Sequence, residues 1–422
     1  MKKVLCVLFV LLIVGGALFA GGGKAKGSVT LWGHVDTGFN NGVQAAVDKF
    51  NAQSDAKVKY VYFPWEEYEA KVMTSLTSGK TGADIYFIWG AWVVDFVAAG
   101  TLAEVPGDLV RGLLDDAYEP CFGTLYNNNR YYGLPVETNI EYGGLLVNKK
   151  EFNRQGIAYP KTWDEIIDVA KRTTVKRGNV FDMRGFDFTT EDTLTTFFLH
   201  MIMSKGGQYW DGRRLNFNTP QAAEAFQTLL NWVIVDGVTN TDSITAAQGI
   251  ADMEFLGAGQ AMMVPRGAWA IPNLEADFDL KYGVDFEYIS IPAWDSGKNF
   301  PAETGWSVCV PKNSKNPDAA WAFAEFFMRP ANLMEVNISG FQVPPLKSIT
   351  NGAAFRSRVP AMAPILEILD NARYIGAFNT EVLKRNLTQT FDNLCQPGAN
   401  TSRAGIETAL RTMTDTINRE LF

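Results

Sequence analysis

The segment from Tyr131 to Lys171 is YYGLPVETNIEYGGLLVNKKEFNRQGIAYPKTWDEIIDVAK. It predicts a strand, a polar turn anchored by Pro135, a second apolar strand, a break at Asn148–Lys150, a long linker and a helix. Glycine tolerates unusual backbone angles and proline restricts one of them, so this punctuation suits a place where the chain crosses between two parts of a molecule. The run from Thr162 to Glu165 is a Thr-x-x-Glu capping box, which predicts a helix beginning at Trp163.

Strands alternate with helices before this segment. The alternation is typical of an α/β fold with a mainly parallel sheet, in which ligands bind at the carboxyl ends of the strands. The predicted elements are a strand at Ser28–Trp32, a helix around 41–51, a strand at Lys57–Phe63, a helix from the run Pro64–Glu67 to about Thr77, a strand at Ala83–Ile88 and a helix at Ala91–Ala98.

The second half of the chain also contains signals for helices and strands. Thr219 and Pro220 predict a helix start, with proline at the first helical position. A period-two pattern predicts a strand over 282–289, and a helix is predicted to begin near Pro317. The remainder after residue 330 is predicted to be helical, with a final amphipathic helix from about Ser402.

Composition excludes several classes of protein. The chain has 422 residues, enough for two domains, and 47% of them are hydrophobic. A net charge of −8 argues against a nucleic-acid partner. With only two histidines, a His-rich metal site is excluded, and neither a cofactor nor a metal is expected.

The first 23 residues have the pattern of a signal peptide. Lys2 and Lys3 form a basic start, an apolar run of eleven residues follows at Val4–Val14, and small residues come next. The run is short for a membrane span. Cys6 lies too early for a lipid-anchored cysteine after the apolar run, so we expect a periplasmic protein that is soluble after cleavage. Three cysteines would remain, and their wide spacing suggests buried thiols rather than a disulfide framework.

Several stretches, in order, resemble family 1 extracellular solute-binding proteins of ABC importers, the maltose-type sugar receptors. They cover nearly the whole chain after the signal peptide. The stretches are YGLP…N-K…TWDE in the crossing segment, GKTGADI at Gly79–Ile85, GQAMMVPRGAW at Gly259–Trp269 and NPDAAW at Asn316–Trp321. The family usually has proline before the aspartate of the second stretch, where this chain has Ala83.

The resemblance implies a type II periplasmic-binding-protein-like fold. Two lobes, each a mainly parallel sheet flanked by helices, would be joined by a hinge and would close on a ligand in the cleft between them. In such proteins each lobe is built from discontinuous segments. The expected division is a signal peptide at 1–23, a first lobe at 24–136 and 292–328, and a second lobe at 137–291 and 329–422.

Sugar recognition needs flat aromatic faces and polar groups for the hydroxyls, and the predicted cleft loops supply both. Similar receptors place a stacking aromatic residue at the G-x-W position, here Trp269, and a sugar-binding carboxylate in the crossing turn. Glu137 is the nearest match for that carboxylate, and Glu141 is the competing alignment. The aromatic candidates are Trp65, Trp89, Trp92, Trp269 and Trp306, and the polar candidates are His34, Asp36, Glu66, Glu137, Asn139, Arg266 and Glu303.

The sequence therefore predicts the substrate-binding component of an ABC carbohydrate importer. It would be a monomer that delivers its cargo to the transmembrane subunits of a permease. One alternative keeps the fold with another solute, such as a glycerol phosphodiester, a polyamine or a peptide. A different alternative is an exported carbohydrate-active enzyme, because Glu137 could meet a second carboxylate in space; no catalytic residue is expected on the preferred interpretation.

Overall fold

The computed structural model describes residues 26–79, 82–140, 143–178, 180–244, 251–294 and 299–422. The predicted signal peptide and Glu141 lie outside these residues, and the side chain of Glu66 is likewise outside the description. In chain order the strands are β1 Gly27–His34, β2 Ala56–Phe63, β3 Ile85–Ile88, β4 Tyr126–Asn127, β5 Arg130–Tyr131, β6 Leu134–Pro135, β7 Thr138–Asn139, β8 Gly144–Val147, β9 Val175–Arg177, β10 Val180–Met183, β11 Met263–Arg266, β12 Glu287–Ser290, β13 Phe300–Thr304, β14 Ser307–Cys309 and β15 Ala372–Tyr374.

Helices cover much of the remaining chain. In chain order they are α1 Thr37–Gln53, α2 Trp65–Thr77, α3 Gly90–Ala98, α4 Gly107–Leu114, α5 Lys149–Gln155, α6 Trp163–Thr173, α7 Glu191–Ser204, α8 Pro220–Ile234, α9 Ala251–Gly257, α10 Ala270–Phe278, α11 Pro317–Phe327, α12 Pro330–Gly340, α13 Lys347–Thr350, α14 Ala353–Arg356, α15 Ala363–Leu366, α16 Thr380–Cys395 and α17 Arg403–Leu421.

The capping box predicted for α6 is confirmed. Thr162 is the N-cap, and its hydroxyl accepts a hydrogen bond from the amide of Glu165 at 3.2 Å. The carboxylate of Glu165 reaches one residue further back than the usual box and accepts from the amide of Lys161 at 2.6 Å. Two other predicted helix starts are confirmed, since α8 begins at Pro220 and Ser402 caps α17. The linker predicted before α6 is wrong for Lys149–Gln155, which form α5, and the side chain of Asn148 caps that helix by accepting from the amide of Glu151 at 3.1 Å.

The first sheet has five strands in the order β2-β1-β3-β14-β6. β1 pairs in parallel with both β2 and β3, and α1 and α2 connect these strands along the chain. The carboxyl ends of the three strands therefore meet at one edge, as the sequence predicts. β14 runs antiparallel to β3 and β6, so a strand from late in the chain lies inside the sheet.

The second sheet corrects the expectation of mainly parallel strands in each lobe. Its order is β11-β8-β12, and β8 pairs antiparallel with both neighbours. All four residues of β8 are buried, so its apolar run carries no alternation from which strand direction could be inferred. The strand predicted over 282–289 is also shorter, because the carboxylate of Asp285 accepts from the amide of Lys281 and closes a turn before β12.

β13 ties distant parts of the chain together. It pairs in parallel with β15 and antiparallel with β7, which brings Glu303 opposite Asn139. Gly90, at the start of α3, packs directly under this strand. A Cβ atom on Gly90 would lie 1.9 Å from the carbonyl oxygen of Thr304, so only glycine fits without displacing backbone.

Helix α12 packs against α1. The hydroxyl of Ser339 donates to the carbonyl of Gly38 at 2.7 Å, and the amide group of Asn337 donates to the carbonyl of Val136 at 3.1 Å. The division into lobes stays a prediction. We propose from these contacts that the third crossing between lobes follows Gly340, rather than Met328.

The described helices include none that is both long and apolar enough to cross a membrane. Cys121 and Cys309 are buried, as expected for small apolar side chains, whereas Cys395 is partly exposed; all three are free thiols.

Candidate functional site

A cavity of about 660 Å³ opens beyond the carboxyl ends of the parallel strands. His34 and Asp36 reach it after β1, Trp65 after β2 and Trp89 after β3. The opposite wall comes from α7, α10 and α16, together with the end of β11. The strand ends thus carry the lining residues, as expected for a ligand site in an α/β protein.

Aromatic rings form one wall of the cavity. The ring of Trp306 stacks on His34, with centroids 4.2 Å apart and planes 16° apart. Trp89 and Trp65 pack around Trp306 at centroid distances of 5.5 and 5.9 Å. Trp65 is 39% exposed and can present its ring to a ligand. This wall offers the apolar faces that sugar rings stack on.

Trp92 is the predicted site residue that the fold places elsewhere. It is 1% exposed and stacks behind Trp65 at 5.6 Å, so it does not line the cavity. Trp89 precedes the first turn of α3, whereas Trp92 lies within that turn on the buried face of the helix. Trp92 therefore supports the aromatic wall from below.

His34 is held as a neutral imidazole. It is 9% exposed, and burial lowers its pKa to about 3. Its Nδ1 has no hydrogen-bond partner among the described residues. His34 therefore adds no positive charge to the cavity at neutral pH.

Asp36 has a structural task as well as a place in the cavity wall. It is the N-cap of α1, and its carboxylate accepts from the amide of Phe39 at 3.1 Å. Burial raises its pKa to about 6, while the amides of Phe39 and Gly38 act in the opposite direction. Asp36 is 8% exposed and lines the cavity beside His34.

The crossing turn delivers Glu137 and Asn139 to the cavity. Both are buried, and both line it. A carboxylate oxygen of Glu137 accepts from the amide of Trp306 at 3.0 Å, which joins the crossing turn to the aromatic wall. Glu141 lies outside the described residues, so the choice between Glu137 and Glu141 as the ligand-facing carboxylate stays a prediction.

Arg266 lines the cavity, but its guanidinium is already engaged. It donates from Nε and from one terminal nitrogen to the two carboxylate oxygens of Asp252, at 2.9 and 2.8 Å. Arg266 is 1% exposed, and Asp252 is fully buried behind it. The guanidinium carbon also lies 5.5 Å from the ring centroid of Trp269, the aromatic residue on this side of the cavity.

Lys384 is the second basic residue in the cavity lining, and it is not among the site residues predicted from the sequence. Its ammonium group lies 2.8 Å from Asp192 and 3.0 Å from Glu381, and 5.5 Å from the ring centroid of Trp89. Burial alone would lower its pKa, but the surrounding carboxylates raise it well above its ordinary value. Glu303 lies 3.9 Å from the same nitrogen, and burial raises its pKa to about 7.

A sequence signal for Lys384 did exist. The buried face of α16 consists of residues 380, 383, 384, 387, 388 and 391, and Lys384 is the one charged residue on this mainly apolar face. A lysine almost never lies on such a face without a partner. Its acidic partner Asp192 lies in the first turn of α7, where carboxylates are common, so the sequence around Asp192 does not indicate an ion pair with Lys384.

The structure thus brings ten of the twelve predicted site residues to one cavity. Trp92 is excluded, and the side chain of Glu66 is not described. Within the described ranges, no group of three or more His, Cys, Asp or Glu side chains is arranged to hold a metal ion. The ten residues are His34, Asp36, Trp65, Trp89, Glu137, Asn139, Arg266, Trp269, Glu303 and Trp306.

The chain is similar to several named proteins. A galactooligosaccharide-binding protein of Bacillus subtilis is 28% identical over 358 residues, which cover 81% of this chain and 78% of that protein. A protein of Brucella abortus, named only as a binding protein, is 25% identical over 339 residues, which cover 74% of this chain and 79% of the relative.

Solved structures share the two-lobed fold. A solute-binding protein from Thermotoga lettingae, bound with α-D-tagatose, superposes with a TM-score of 0.77 at 19% identity and covers 93% of this chain and 99% of its own. The cyclic α-maltosyl-1,6-maltose binding protein from Arthrobacter globiformis has a TM-score of 0.74 at 23% identity, with 94% and 100% covered. These neighbours are binding proteins rather than enzymes.

The family comparison agrees with the fold. Residues 37–334 match the family described as bacterial extracellular solute-binding protein. The match spans more than half of the chain and includes the second sheet, the first sheet apart from β1, and most of the cavity lining. The chain therefore belongs to the bacterial extracellular solute-binding protein family.

Proposed function

We propose that this protein is the substrate-binding component of an ABC importer and that it captures a carbohydrate in the cavity. The observation that carries the proposal is the meeting of stacked aromatic faces with buried carboxylate and amide groups in one cavity of about 660 Å³. A volume of this size accommodates a mono- or oligosaccharide. The sugar-binding relatives from Bacillus subtilis and Arthrobacter globiformis support the same class of ligand.

The two kinds of side chain have complementary tasks. Trp65 and Trp269, on different walls, would stack on the C–H faces of a sugar ring. Glu137 and Asn139 would bind hydroxyl groups, since a carboxylate accepts hydrogen bonds and an amide both donates and accepts. A phosphorylated ligand is disfavoured because the guanidinium of Arg266 is held by Asp252.

Closure of the lobes would couple capture to transport. Ligand contacts with both walls exist together only when the cavity is closed, so the ligand shifts the population toward the closed form. The proposed hinges are the crossing segment at β6–β7 and the link between β13 and β14 at Glu303–Trp306. The second of these would replace the crossing expected at residues 291–292, because β13 pairs with β7 and only β14 joins the first sheet. The closed form would then dock on the transmembrane subunits of a permease, which are the partners expected for this family.

The proposal is tested by titrating the protein lacking residues 1–23 with a panel of mono- and oligosaccharides. Tryptophan fluorescence reports changes at the aromatic wall, and the melting temperature reports binding by mass action. A ligand at a hundredfold excess over Kd raises the free energy of unfolding by about 2.7 kcal/mol. We expect a saturable response to one class of sugar and its loss in Trp269→Ala.

The matched control is Trp321→Ala on α11, which replaces a tryptophan outside the cavity lining and should leave affinity unchanged. If every saccharide is silent while a peptide or a glycerol phosphodiester gives a saturable response, the carbohydrate assignment is wrong. Hydrolysis of a glycoside by the purified protein would instead support the enzyme alternative.

A further inference from the structure

The described lining of the cavity holds more carboxyl groups than basic groups. It holds two basic side chains, Arg266 and Lys384, and both are bound by carboxylates. Asp277 adds a further carboxylate at the exposed rim. The other carboxyl groups of the lining are buried or partly buried, and they belong to Asp36, Glu137, Glu191, Asp192, Glu303 and Glu381.

The carboxylates differ in whether a partner already satisfies them. Asp36 accepts from an amide of α1, and Glu137 accepts from the amide of Trp306. Asp192 and Glu381 bind the ammonium of Lys384. Glu191 neither accepts a hydrogen bond from, nor makes an ion pair with, any described residue, although it lines the cavity at the start of α7.

Burial makes this arrangement costly without a cationic ligand. Glu191 lies beside Asp192 and Glu381, and burial together with these like charges raises its pKa, whereas the charges of Lys384 and Arg385 act in the opposite direction. Closing the cavity would remove further water from a carboxylate that no described residue binds directly, which is unfavourable unless a positive group pairs with it. The imidazole of His34 is neutral, and its Nδ1 is a further buried polar atom without a hydrogen-bond partner in the described part of the chain.

We propose that the ligand is an amino sugar, whose protonated amino group pairs with the carboxylate of Glu191. The proposal rests on the carbohydrate-binding function proposed above and narrows its substrate class. The remaining carboxylates would bind ring hydroxyls, while the aromatic wall stacks on the ring. Anionic sugars, such as uronic acids, would be rejected by the same field.

The test uses sugars that share one ring and differ in a single substituent. Galactose, galactosamine, N-acetylgalactosamine and galacturonic acid are titrated calorimetrically, as are the corresponding glucose derivatives and their β-1,4-linked disaccharides. A hydrogen bond to a charged group favours the amine by roughly tenfold to a hundredfold in Kd. The preference should shrink as salt is added, because salt screens the attraction.

Two variants assign the effect to its residue. Glu191→Gln keeps the shape of the side chain and should abolish the preference for the amine over the neutral sugar of the same ring. Glu407→Gln on α17 changes the net charge equally outside the cavity lining and should leave the preference intact.

The outcomes separate the two proposals. Equal affinity for amino and neutral sugars, or tighter binding of the uronic acids, overturns the amino-sugar assignment and leaves carbohydrate binding standing. A preference that persists in Glu191→Gln overturns the role of Glu191. If no saccharide binds and spermidine binds saturably, both proposals are overturned. The carboxylates of the cavity would then explain the binding of the polyamine.

Discussion

Replacing His34 with glutamine should remove a strong acid sensitivity from the folded protein. The imidazole is 9% exposed and stacks on Trp306, and burial lowers its pKa from 6.5 to about 3. Between these two pKa values the unfolded chain binds a proton at this histidine and the folded chain does not. The stability that His34 contributes is therefore complete above pH 6.5 and is lost as the pH falls toward 3.

The magnitude follows from the shift. Each unit of pH inside the window costs about 1.4 kcal/mol, so lowering the pH from 7.5 to 5 should cost about 2 kcal/mol through His34 alone. The assay is urea denaturation followed by circular dichroism at several pH values, for the wild type and for His34→Gln. Other groups titrate in both proteins, so the informative quantity is the difference between their free energies of unfolding.

We expect that difference to be constant above pH 7 and to fall by about 2 kcal/mol at pH 5. The chain has one other histidine, His200, which packs against Phe300 away from the cavity and whose pKa burial lowers to about 4. The same comparison in a His200→Gln background should give the same slope, because distant sites act independently. A difference that does not change with pH would mean that His34 is solvated in the native state, and the packing of the aromatic wall would be refuted.

Three further substitutions test other parts of the structure. Glu303→Gln removes a carboxyl group whose pKa burial raises from 4.5 to about 7. The stability that this group contributes is present below pH 4.5 and is lost as the pH rises through 7, so in denaturant titrations the free energy of unfolding of the wild type relative to the variant should fall by about 3 kcal/mol from pH 4.5 to 8. A difference that does not change with pH would contradict the burial of Glu303. Asp252→Asn leaves the buried guanidinium of Arg266 without its bidentate partner and should destabilise the protein by about 3 kcal/mol in urea, whereas a loss below about 1 kcal/mol would show that the pair is dispensable. Gly90→Ala pushes a Cβ atom against the carbonyl of Thr304 and should lower the free energy of unfolding by about 2 kcal/mol, seen as a lower Tm; an unchanged Tm would place β13 further from α3.

Local signals in the sequence predicted the helices well because their causes are local. The cap at Thr162 and the proline at the start of α8 act within one helical turn, and tertiary contacts do not change these helix starts. The carboxyl ends of β1, β2 and β3 were predictable for a similar reason, since a parallel arrangement brings successive loops to one edge.

The errors concern features that depend on distant contacts. Trp89 and Trp92 are three residues apart, and only the packing of α3 beneath β13 decides which ring reaches the cavity. The direction of β8 depends on partners more than 100 residues away. The role of Lys384 depends on the meeting of α16 with α7, which no spacing within α16 reveals.

The place of β14 inside the first sheet has a consequence for folding kinetics. β3 and β6 are complete by residue 135, but the strand that fills the space between them is Ser307–Cys309. Contacts so far apart in sequence form slowly, because the intervening loop must close first. During synthesis from the N-terminus, the edges of β3 and β6 that pair with β14 stay unpaired until almost three-quarters of the chain has emerged. Such a topology delays the native state, and the delay suits a member of an extracellular family whose chain must cross a membrane before it folds.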